Sequence, residues 1–160
     1  MNQLIVALIL SFLPISELRG GMPVALDYAI KQNFPVALAF LSVIIANISA
    51  MFFLFFFLDF IHKKLLGLNA YNRMFNAYIS RVRKKSRRLE KNMKTYSFLA
   101  LTLFVAVPLP TTGAWTGTII AWLLGLDRKK SIIAISLGVI IAGLLVLLAS
   151  LGIFRLFNVF

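Results

Sequence analysis

Glu17 and Arg19 stand close together in PISELRGGMP, residues 14–23, with apolar stretches on either side. If those stretches lie in lipid, each charge costs about 2.5–3.5 kcal/mol at a helix centre, so both need a reason to be there. A carboxyl group can take up and release a proton, and a guanidinium offers a planar fork of donors to an anionic group. One reading therefore makes Glu17 a proton carrier and Arg19 the holder of an anion. Another is structural: the two neutralise each other, or cap half-helices and hold a strained turn together. In the same segment Pro14 and Ser16 precede the charges. Gly20 and Gly21 allow backbone conformations closed to other residues, and Pro23 suits the first turn of a returning helix. The positive end of that helix would then point at the same place as Arg19.

A second segment, PLPTTGAWTG at residues 108–117, has the same character without charge. Pro108, Pro110 and Gly113 break the helix, and Thr111, Thr112 and Thr116 supply hydroxyls. Recognition of charge thus falls to the first segment, and shape and hydrogen bonding to the second. Trp115 either flanks a pocket or belongs to an aromatic belt at a membrane surface. Asn47, a lone amide in a long apolar run, either makes a helix contact or faces the two broken segments.

Other chemistry has little to stand on. There is no cysteine, which removes disulfides, thiolate metal sites and a cysteine nucleophile together. The single histidine, His62, has no second ligand near it in sequence and reads as an interfacial residue beside Lys63 and Lys64. No Ser/His/Asp set, phosphate loop or paired carboxylates are visible. The chain is read as no enzyme, without metal or cofactor, and with protons as a candidate coupling ion.

The elements that position these residues follow from the apolar pattern. Of 160 residues 61% are hydrophobic and 14% charged, and the mean hydropathy is +0.92. So much apolar surface exceeds what one small core can hide, so lipid is its natural solvent. Residues 4–13 and 24–30 are apolar arms too short to span, since about 12 helical residues rise about 18 Å against a hydrocarbon core of about 30 Å. With the break between them they predict a re-entrant helical hairpin over 1–33, its exposed backbone buried in protein or facing water. Residues 34–62 predict a long transmembrane helix with Pro35 in its first turn. Residues 96–126 repeat the broken pattern as a second hairpin, and 129–157 predict a second long span. The opening MNQLIVALILSFL resembles the apolar part of a signal peptide but lacks a basic start and a cleavage site, and is read as retained.

Between the halves, 63–95 is strongly basic and includes Arg83, Lys84, Lys85, Arg87 and Arg88, in a chain of net charge +12. Apolar residues recur there near helical spacing, which predicts an amphipathic helix on anionic headgroups and no nucleic-acid partner. Arg128, Lys129 and Lys130 form a second basic cluster. A single kinked crossing over 96–126 would put the two clusters on opposite faces, against the positive-inside bias. A hairpin that enters and leaves on the cytoplasmic side keeps both inside. The fold class is then all-α integral membrane: one domain over 1–160, with two re-entrant hairpins and two long transmembrane helices as an inverted-topology repeat, and both termini outside. Secondary transporters of that architecture place substrate at the midplane between broken helices.

PISELRGGMP followed by PLPTTGAWTGTIIAWLLGL resembles the two signature segments of the small multidrug export protein family, a prokaryotic membrane family related to the DedA (SNARE-associated, VTT-domain) superfamily. The resemblance covers nearly the whole chain and implies paired re-entrant hairpins in a prokaryotic cell membrane. It places Pro14, Glu17, Arg19, Gly20 and Pro23 in the first motif and Pro108, Pro110, Gly113, Trp115 and Gly117 in the second. Thr112 stands where the pattern expects glycine, and Ala46-Asn47 where it expects Gly-Asn. The family name implies drug efflux, and DedA relatives imply proton coupling and the flipping of phospholipids or polyprenyl phosphates. An intramembrane arginine suits a phosphate headgroup better than a cationic drug, so the expected activity is proton-coupled translocation of an amphiphilic lipid phosphate. A cation exporter using Glu17, and a membrane scaffold gathering anionic lipid, are the alternatives. So small a unit is expected to pair as a homodimer to seal its cavity.

Overall fold

The computed structural model describes residues 3–65, 90–109 and 112–156, and all its described elements are helices. They are α1 (Gln3–Phe12), α2 (Glu17–Lys31), α3 (Val36–Leu65), α4 (Glu90–Ala106), α5 (Ala114–Leu123) and α6 (Arg128–Leu156). The order short, short, long occurs twice. Among the described residues α3 and α6 are long and apolar enough to cross a membrane, with mean hydropathies of 2.4 and 3.0 in their most apolar windows. The 15-residue α2 rises only about 22 Å.

Packing repeats along with length. α1 lies against α2 and α3, and α4 correspondingly against α6 and α5; α2 and α5 each touch both long helices. The long helices run antiparallel, because Gly143 of α6 meets Ile44 and Phe40 of α3 while Arg128 pairs with Asp59 at the other end. Tyr28 and Phe34 close the first hairpin near the start of α3. Trp122 of α5 closes the second on Asp59, near the end of α3. Each pair of short helices therefore reaches in from a different end of the long ones. Their tips meet at mid-height, where Ser11 and Phe12 touch Asn47 and Phe53 of α3.

The core is built from small residues. Ala7, Ala25, Ala39, Ala50, Ala114, Ala121 and Ala134 are all nearly or fully buried, whereas Phe56, Leu148, Leu103 and Ile45 are more than 60% exposed. Small side chains let helices approach closely where lipid removes the hydrophobic drive between them. Gly138 shows how closely: a Cβ there would come within 2.7 Å of Val105 Cβ and 2.8 Å of Thr102 O. Large apolar groups facing outward in such number mark a lipid-facing surface.

The element boundaries refine the sequence reading. The second arm of the first hairpin begins at Glu17 rather than near 24, and the second hairpin's first arm is the end of a helix that already starts at Glu90. Most of the basic segment expected over 63–95, with Arg83, Lys84, Lys85, Arg87 and Arg88, lies outside the described residues.

Candidate functional site

The first tip is a tight turn over 13–16. α1 stops before Pro14, the Leu13 N–H donates to Ile9 O at 3.1 Å, and the Glu17 N–H donates to Leu13 O at 3.0 Å. Ser16 Oγ donates to Leu10 O at 2.6 Å, which ties the turn back onto α1. Glu17 itself has φ +46°, the left-handed region that a non-glycine residue enters only when its surroundings hold it there. Gly20, Gly21 and Pro23, expected in the break, are inside α2 instead. The two glycines serve packing: a Cβ on Gly21 would overlap Ser11 Oγ and lie 2.6 Å from Ala7 O, and one on Gly20 would lie 2.6 Å from Ser16 Cβ. Pro23, with no N–H to donate, leaves the Arg19 carbonyl without its helical partner.

The second tip is held by its own hydroxyls. Thr112 Oγ1 donates to Val107 O at 2.6 Å and accepts from the Leu109 N–H at 3.1 Å. Thr116 Oγ1 accepts from the Gly113 N–H at 3.1 Å, half of a capping box at the start of α5. The expected hydroxyls of Thr112 and Thr116 thus brace the loop. Pro108 lines the cavity described below, and Pro110 and Thr111 lie outside the described residues.

The two tips join at Glu17. Its side chain is 6% exposed, and its Oε1 accepts from the Trp115 N–H at 3.2 Å, with the Ala114 N–H in reach of the same carboxylate. These are the unpaired donors of the first turn of α5, where the helix dipole also favours an anion. Gly113 makes room, since a Cβ there would overlap Glu17 Oε2; its extended backbone suits any residue, so the requirement is steric. In return, Trp115 Nε1–H donates to Phe12 O at 2.8 Å, capping the end of α1, and the two rings meet edge to face. Arg19 Nη2 donates to Thr112 O at 3.4 Å. Among the described residues no ion pair joins Glu17 to Arg19. Glu17 does act as a cap, but on a helix of the opposite hairpin.

Between the tips is a cavity of about 10 Å³ lined by Glu17, Arg19, Asn47, Thr112 and Gly113 and closed by apolar groups of α4 and α6. Asn47 is fully buried. Its Nδ2 donates to Ser11 O at 2.7 Å, while its Oδ1 has no partner.

Sequence reasoning missed a further cluster, at the end of α3. Asp59 accepts from Trp122 Nε1–H at 2.8 Å and pairs with Arg128 at 3.0 Å, whose guanidinium also lies over the Phe55 ring. The His62 ring meets Trp122 edge to face. Asp27, by contrast, pairs with Lys31 four residues on, as a solvated helix face would have it. Among the described residues no cluster of metal-binding side chains exists.

No curated protein and no solved structure matches the chain. A family described as "Putative small multi-drug export protein" matches residues 17–145, a stretch that opens on Glu17 just after the first tip and takes in the second tip, all of α3 and most of α6. A match over that much of the sequence, on a helical bundle that is small-cored and apolar outside, shows that the chain belongs to this family of membrane export proteins.

Proposed function

We propose that the chain is a proton-coupled membrane exporter of amphiphilic substrates bearing an anionic group such as a lipid or polyprenyl phosphate. In this reading the short helix pairs are re-entrant hairpins entering from opposite faces, and the two halves are an inverted repeat. The antiparallel long helices and the doubled packing pattern support it. Glu17 is the latch and Arg19 the anion holder. As a carboxylate, Glu17 caps α5 and keeps the tips together. On taking up a proton it loses the charge that the α5 N-terminus attracts, the tips part, and Arg19 leaves the Thr112 carbonyl for the headgroup. The basic segment 63–95 gathers anionic lipid on the cytoplasmic side, each lysine or arginine contributing roughly 1 kcal/mol near the surface.

The observation that carries the reading is that the Glu17 carboxylate hydrogen-bonds to the start of α5, 98 residues away, while among the described residues Arg19 forms no ion pair with it. That leaves a half-buried guanidinium whose one hydrogen bond among the described residues is to a carbonyl at 3.4 Å, with donors of its fork to offer the oxygens of a phosphate. The test is transport in liposomes by Arg19→Gln and Glu17→Gln, using a fluorescent polyprenyl phosphate and a cationic dye. Arg19→Gln should abolish lipid-phosphate translocation at normal folded yield, and Glu17→Gln should uncouple it from the pH gradient. Unimpaired lipid-phosphate translocation by folded Arg19→Gln would end this reading, and dye export lost only in Glu17→Gln would replace it with a cation exporter.

A further inference from the structure

The one buried side-chain nitrogen or oxygen without a partner among the described residues is Oδ1 of Asn47, a residue that lines the same cavity as Glu17. The orientation of the amide is fixed by its neighbour. Ser11 O is a carbonyl and accepts only, so the NH2 group must face it, and the free atom is the oxygen. A buried acceptor left unmet is costly, so its partner must be a donor. The neighbouring Glu17 carboxylate accepts as well, and the α5 N–H groups occupy only part of its capacity of about four lone pairs. Two acceptors facing one cavity call for a guest that can donate twice. A cavity of about 10 Å³ is about the smallest that admits a water molecule, and water is such a guest.

We propose that one water molecule sits between the hairpin tips, donating to Asn47 Oδ1 and to the Glu17 carboxylate, and that this water is the last carrier of the proton to Glu17. When a proton arrives as hydronium, one O–H bond of the hydronium breaks as the new O–H bond forms on a Glu17 oxygen, and a neutral water remains held by Asn47. Among the described residues, the titratable groups around the cavity are Glu17 and Arg19, both on α2. α3 contributes Asn47, α4 Val105, α5 Ala114, α6 Val139, Ala142 and Val146, and the loop before α5 Thr112, whose hydroxyl already donates to Val107 O, so no other titratable side chain there can deliver the proton. Asn47 is a positioning residue: it acts on Glu17 through the water. The proton-carrier role of Glu17 rests on the function proposed above, whereas the water itself does not.

Two measurements test this. In an experimental structure of the purified protein that shows ordered waters, a peak within hydrogen-bond distance of both Asn47 Oδ1 and Glu17 is expected whether or not transport is proton-coupled. An empty cavity, or an ion with a full oxygen shell, would overturn the proposal. In liposomes, Asn47→Leu should lower pH-gradient-driven transport about tenfold, while Asn47→Ser, whose hydroxyl and added space admit a second water, should keep most of it. Both variants lose the amide bond to Ser11 O, so an equal loss in both marks Asn47 as a structural tie and overturns the relay. On the Glu17→Gln background Asn47→Leu should change nothing further, since the two act in one path; additive losses contradict it. Wild-type transport driven by sodium and indifferent to pH would overturn both the relay and the proton coupling it rests on.

Discussion

Glu17 and Gly113 form a fitted pair, and their fit gives a quantitative expectation. The carboxylate occupies the space a Gly113 side chain would need, so Gly113→Ala should expel it from the α5 N-terminus and cost about 1–3 kcal/mol, the range for a buried group deprived of its partner. Glu17→Ala should cost a similar amount by leaving the first N–H groups of α5 unmet. The double variant, in which the new methyl enters the space left by the carboxylate, should cost less than the sum of the two. Thermal unfolding in detergent of the two singles and the double would show it, and strict additivity would mean that the two do not touch. At this scale the sequence was half legible. Two charges between apolar arms announced themselves, but their partners did not. Arg19 is two residues from Glu17, and side chains so spaced do not face each other on a helix. The partner of the carboxylate is backbone 98 residues on, and backbone donors leave no trace in residue types.

The short helices show where pattern reading succeeds and fails. Arms too short to span, broken by proline, were visible because length is set by hydropathy and a helix has a fixed rise. The place of the break was not. Gly20 and Gly21 look like turn residues, yet both lie inside α2, where Gly21 lets α1 approach and Gly20 leaves room for Ser16 of the turn, and α2 absorbs Pro23 in its interior. A similar argument separates the glycines of α6. Gly138→Ala should destabilise by about 1–3 kcal/mol, since its Cβ would meet the backbone carbonyl of Thr102 and the branched Val105. Gly152→Ala, with nothing within 4 Å, should be neutral or slightly stabilising through helix propensity. Unfolding measured under identical detergent conditions decides; equal effects would mean that α4 and α6 are not so closely packed.

In the whole molecule, two half-height helix pairs reach in from opposite ends of two antiparallel long helices, and the tips close on a buried carboxylate. This arrangement explains why charges sit between apolar arms, why the core is alanine-rich and the outside rich in leucine, isoleucine and phenylalanine, and why hydroxyls at the second tip brace its loop. The re-entrant topology proposed for it agrees with the charge pattern, because one crossing by α3 leaves both basic clusters on one side only if 96–126 turns back. The cluster of Asp59, Trp122 and Arg128, unseen in sequence because its members are far apart there, fastens the base of the second pair at the end of α3. The most direct test of the account uses the absence of native cysteine: single cysteines replacing Asn33, Lys64 and Lys129, all exposed, are probed with an impermeant thiol reagent in intact cells and after the inner face is opened. The Asn33 position should react from outside, and the Lys64 and Lys129 positions should both react only once the inner face is opened. Reaction of the Lys64 and Lys129 positions from opposite sides would contradict it, because 96–126 would then cross the membrane and the two tips could not enter from opposite faces.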